Sequence, residues 1–141
     1  MKIEEALKEI AASALPEMSF CLGTMTEIDE KLDLLKPPFM WVVFPTSGAF
    51  IVRHGMLKER LRALVGFFDL VERDADGEDN MAVYRRMAGK AATFIDAVNH
   101  NRHLAPLDTT IPMTIHSEVG AANVTGLILE VEFTEAVGEC L

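Results

Sequence analysis

The stretch Leu57–Glu72, LKERLRALVGFFDLVE, decides the fold. Leucines at 57, 61 and 64 fit one face of a helix, whereas Leu61, Ala63 and Val65 alternate with Arg60 and Arg62 as a two-sided strand would. Gly66 precedes Phe67 and Phe68, lowering helix propensity where side-chain bulk is greatest. A strand over Arg60–Leu70 is the preferred reading, with a helix over residues 57–70 as the alternative.

Downstream, ERDADGEDN (72–80) is a turn-rich acidic loop. Its Asp74, Asp76 and Asp79 do not reproduce a calcium loop: counted from Asp74, the sixth position is Asp79 rather than glycine and the twelfth is Arg85 rather than glutamate. A solvated connection is the better reading. From Asn80, Tyr84, Met87, Ala91, Phe94 and Val98 recur at threes and fours and predict the strongest helix of the chain, with Asp79 or Asn80 as its cap. NHNRHLAP closes it.

DTTIPMTIHSEV (108–119) reads as a strand whose Pro112, having no N–H to donate to a ladder, points to a sheet edge or to the strand's first residues. GAANVTG turns the chain, and Leu127, Leu129, Val131 and Phe133 then alternate with Ile128, Glu130, Glu132 and Thr134. These last two strands are expected to be antiparallel neighbours.

Upstream, FMWVVF (39–44) is a buried strand with Trp41 in the core, followed by a turn signal at Pro45 and Ser47-Gly48. GAFIVRHG adds a short strand that turns at Arg53-His54-Gly55. Ile3, Leu7, Ile10 and Ala14 stripe an N-terminal helix that Pro16 ends, and IDEKLDLLK (28–36) fits either a helical turn or a loop. The expected fold is therefore α+β: one domain over 1–141, two layers, a mostly antiparallel sheet packed against one long helix plus an N-terminal helix.

With 22 acidic and 13 basic side chains the net charge is −9, a field that repels nucleic-acid backbones and anionic lipids; no direct nucleic-acid or membrane binding is expected. The local basic candidates are Arg53–Arg62 and the Arg85/Arg86 pair, of which the adjacent helical arginines read as a solvated face. Cys21 and Cys140 make neither a disulfide scaffold nor a zinc motif. An acidic N-terminal stretch without a long apolar run is unlike a signal peptide, so a soluble cytosolic chain, not a secreted one, is expected.

Catalytic signatures are sparse. PTSGA around Ser47 lacks the G-x-S-x-G pattern, and His100, His103 and His116 lack a third-ligand spacing for zinc. Glu130 and Glu132 share one strand face, a geometry that serves acid/base work in a cleft but also the control of assembly. No catalytic residue, metal or cofactor is assigned. A small α+β enzyme joining one cysteine to His54, His100, His103 or His116 is one alternative, and a non-viral protein-binding adaptor is another.

In the order of its elements, and in FMWVVFP, VGFFDLVE, MAVYRRMAGKAATFIDAV and GLILEVEFTE, the chain resembles the tail-terminator and tail-completion proteins of long-tailed bacteriophages and prophages, the minor tail protein U class, including those of gut bacteria. The resemblance implies a non-enzymatic subunit of a ring, typically a hexamer, that caps the tail tube and meets other tail or connector proteins. It implies assembly in the host cytoplasm, followed by a place in the virion tail. By position it implies an assembly surface of Phe67, Phe68, Asp74, Asp76, Asp79, Glu130 and Glu132.

Overall fold

The structure is a computed structural model that describes residues 1–24, 26–27, 35–44, 47–120 and 122–141. The helix-or-loop reading of 28–36 and the turns read around 45–48 and 120–126 therefore lie wholly or partly outside the described residues. In chain order the elements are α1 (Ile3–Ala14), β1 (Ser19–Gly23), β2 (Phe39–Val43), β3 (Gly48–Arg53), β4 (Met56–Leu70), α2 (Gly77–Asn99), β5 (Met113–Val119), β6 (Val124–Thr134) and β7 (Glu139–Cys140). The fold is α+β with a mostly antiparallel sheet.

The stretch that decided the fold is strand as far as Leu70, and the strand begins at Met56, four residues before the expected start. The helical alternative fails because both strand faces of its second half are buried, which a single amphipathic helix face would not achieve. The sheet path is β1-β2-β4-β6-β5, with β3 and β7 pairing the N-terminal half of β4. β4 is thus the spine: its residues 64–68 pair β2, 56–61 pair β3, and 60–70 pair β6. β5 and β6 are antiparallel neighbours, as expected. β1 was not foreseen, and it is the exception to the antiparallel rule, running parallel to β2.

Alternation along β4 and β6 separates two faces. Ala63, Val65 and Phe67 join Leu127, Leu129, Val131 and Phe133 on the inner face, where both helices bury their apolar stripes: Ile3, Leu7 and Ile10 from α1, Val83, Met87, Phe94 and Val98 from α2. Phe94 binds this layer together, its ring centroid 5.7 Å from Phe67 and 6.1 Å from Phe133. On the outer face Cys21, Phe39, Trp41, Val43, Phe68 and Val124 form a second cluster. β2 is consequently buried along its whole length.

α2 begins three residues earlier than the sequence reading placed it. Asp76, not Asp79 or Asn80, is its N-cap: the Asp76 carboxylate accepts from the Asp79 amide at 2.8 Å, and Asp79 reciprocates toward the Asp76 amide at 3.2 Å. Two orphan donors are satisfied by each other's neighbours, a device available to paired acids as well as to the usual Ser/Glu box.

Candidate assembly surface

The residues first assigned to an assembly surface separate into three groups. Phe67 and Phe68 do not belong to any surface: they are 0% and 4% exposed. Phe67 points to α2, and Phe68 stacks in the outer cluster at 5.8 Å from Phe39 and 6.2 Å from Trp41. Their assignment is corrected for the reason that makes β4 a spine: both of its faces are covered at this point, so adjacent phenylalanines pointing opposite ways are both inside.

Asp74, Asp76 and Asp79 are exposed. Asp76 and Asp79 are engaged in the helix cap. Beside them Asn80 accepts from Thr125 Oγ1 at 2.8 Å, and the same hydroxyl accepts from the Glu118 amide at 3.0 Å. Thr125 is fully buried, so this bridge ties the acidic loop and the start of α2 to the C-terminal end of β5. The acids therefore gather at one corner of the sheet.

Glu130 and Glu132 lie on the polar part of the outer face, and their arginines come from the same chain. Arg62 holds Glu132 at 3.0 Å and Glu130 at 3.5 Å, with Arg60 at 3.9 Å from Glu132. The hydrogen bond to Glu132, followed by the charges of Glu130 and Glu132, raises the Arg62 pKa above its ordinary value. Exposed pairs of this kind contribute little to stability individually. As a cross-strand ladder they fix the β4–β6 register, in which Arg62 faces Glu132.

Two edge strands, neither of them assigned to the assembly surface from the sequence, carry exposed apolar side chains. β3 pairs only with β4 among the described residues, and its Phe50 and Val52 are 70% and 59% exposed. The β3–β4 hairpin turns at His54 and Gly55, both at positive φ as a two-residue hairpin turn requires. Its root is pinned where β4 leaves β6: the buried Glu135 carboxylate accepts from the Glu59 amide at 2.7 Å, and the Glu135 amide donates back to the Glu59 carbonyl at 3.0 Å.

The second edge is β5, whose Met113 and Ile115 are 44% and 51% exposed. It flanks β6 opposite residues 65–70 of β4, whereas β3 flanks residues 56–61 on the other side. β3 and β5 thus occupy diagonally opposite corners of the sheet, and β1 is a further edge strand, beside β2. Pro112 had signalled the β5 edge, whereas GAFIVR reads as a strand without revealing that its apolar side chains face outward.

The residues that an enzymatic reading would need are dispersed. Cys21 packs in the outer cluster and Cys140 is exposed on β7 beside Met56. His54 sits in the hairpin turn, His100 caps the end of α2, and His116 packs against the Phe68 ring at 6.4 Å. Among the described residues no group of three or more His, Cys, Asp or Glu is placed to hold a metal ion. The cleft between the acidic loop and residues 122–123 is lined by Val71, Arg73, Asp79, Val83 and Arg86, and by neither cysteine nor histidine. Among the described residues no helix is long and apolar enough to cross a membrane.

No protein-family model matches the chain, and no curated protein matches it significantly.

Proposed function

We propose that this chain is a structural subunit of a long-tailed phage or prophage, assembling as a homomeric ring at the tail tube or the head-tail junction and meeting other tail or connector proteins there. The observation that carries the reading is the pair of unlike open strand edges at opposite corners of one rigid sheet. Exposed apolar strand edges are a liability in a protein that remains alone. Placed on two different surfaces, they favour a heterologous contact, which closes into a ring at a fixed rotation. The order of elements shared with tail-terminator proteins supports the same role. So does the acidic surface, which keeps free subunits in the host cytoplasm from associating with nucleic acid.

The test is electron microscopy of the purified full chain at high concentration. Closed rings with a central opening support the reading. Particles no larger than a monomer or a two-fold dimer contradict it.

A further inference from the structure

We infer that the ring contact is a β-strand pairing in which the edge of β3 of one copy meets the edge of β5 of the next, both edges unpaired among the described residues, antiparallel, with both sets of helices on the same side. This rests on the ring reading above and specifies its interface.

The in-chain hydrogen bonds determine which groups are free. In an antiparallel ladder, residues alternate between turning their N–H and C=O toward the partner strand and turning them away. Arg62 donates its amide to the Ser47 carbonyl at 3.2 Å, so the alternation directs the backbone groups of Ala49 and Ile51 into the hairpin and those of Phe50 and Val52 outward. On the other edge Glu130 donates to the Pro112 carbonyl at 2.9 Å, which directs Thr114 and His116 toward β6 and Met113 and Ile115 outward. On both edges the residues with outward backbone are those with exposed apolar side chains.

The faces agree as well. Phe50 lies across from Glu59, in the odd-numbered set of β4 that faces the helices, and Met113 and Ile115 lie across from the core residues Leu129 and Leu127. Directly paired residues share a face. Joining Phe50 and Val52 to Ile115 and Met113 therefore continues the sheet with its helix layer on one side. The directions agree too: β3 opposes β4, β5 opposes β6, and β6 opposes β4, so β3 and β5 run oppositely. Copies repeated without inversion meet antiparallel.

The ring reading decides which edges pair. A pairing of β3 with β3, or of β5 with β5, is two-fold and stops at a dimer, whereas β3 of one copy on β5 of the next uses two different surfaces and repeats around a ring.

The experiment compares the assembly of full-length wild type, Val52→Pro and Ile115→Pro by sedimentation over a concentration series. Proline at either position deletes an outward N–H without removing an in-chain ladder bond. Each is expected to raise the concentration for half-assembly by about tenfold or more, the effect of roughly 1.4 kcal/mol. As a second measurement, Phe50→Cys and Ile115→Cys are combined in a Cys140→Ser chain, where mild oxidation is expected to give a ladder of cross-linked multimers on a non-reducing gel. Rings that form undisturbed in both proline variants, with no ladder from the cysteine pair, overturn the strand pairing while leaving the ring standing. A wild type that never assembles overturns both.

Discussion

Gly66 lies directly beneath the indole of Trp41, its partner across β2 and β4, so that a β carbon at position 66 would overlap the ring. The glycine that spoiled a helical reading of LKERLRALVGFF is the residue that lets the largest side chain of the outer cluster lie flat on the sheet. Gly66→Ala should destabilise the chain by roughly 1–3 kcal/mol through overpacking. Trp41→Ala should cost about 3–5 kcal/mol. In the double variant the two costs should fall well short of additive, since the clash disappears with the indole. Urea denaturation of the four chains measures this, and strict additivity would show that the indole does not occupy the space above residue 66.

Glu135 should behave as the pin of the hairpin root. Glu135→Ala removes a charge-assisted hydrogen bond to the Glu59 amide, a loss of about 1.5–3 kcal/mol. Amide hydrogen exchange should accelerate at Glu59 and along β3 while α2 remains protected; unchanged exchange at Glu59 would remove the carboxylate from this role.

The acidic loop should divide by function. Asp76→Ala should cost about 0.5–2 kcal/mol, as loss of an N-cap does. Asp74→Asn, outside the cap, should leave the thermal midpoint nearly unchanged. Equal effects at the two positions would mean that general charge, not capping, sets the contribution of this loop.

The pair of Lys2 and Glu139, at 3.0 Å, fastens α1 to β7. The hydrogen bond from Lys2, followed by its charge, lowers the Glu139 pKa below the usual 4.5. Glu17 is lowered likewise by its hydrogen bond from Lys90. For a depressed carboxyl the folded state binds fewer protons than the unfolded state around the ordinary pKa. Its contribution is therefore present above pH 4.5 and is lost as pH falls through the lower folded value. Lys2 is raised above 10.5, chiefly by the hydrogen bond to Glu139, so its contribution persists below that pH and fades as pH rises through the folded value. In an NMR titration Lys2→Ala should move the Glu139 midpoint upward and leave Glu17 where it is; an unmoved Glu139 would show that the pair does not form in solution.

How far the sequence was legible follows from how local each signal is. α2 and β6 were readable because their periodicities, of three to four and of two, are properties of consecutive residues. β4 was readable as a strand through its alternation and Gly66, but not its full length, because Met56–Glu59 becomes strand by pairing with β3 and β7. β1 was hidden: SFCLG is short and mixed, and it is strand because it lies parallel to β2, a non-local contact. The candidate surface was read least well. Apolar residues at Phe67 and Phe68 and at Phe50 and Val52 look alike in sequence, yet the first pair is enclosed and the second exposed, and only the lane each strand occupies separates them. The acids at 76 and 79 looked like a surface feature and are in part a helix cap.

The most direct measurement is the mass of the intact wild-type chain by multi-angle light scattering, from micromolar to near-millimolar concentration. The account predicts a species at a fixed multiple of 15.6 kDa that grows with concentration. A mass that stays at 15.6 kDa across the whole range would contradict it.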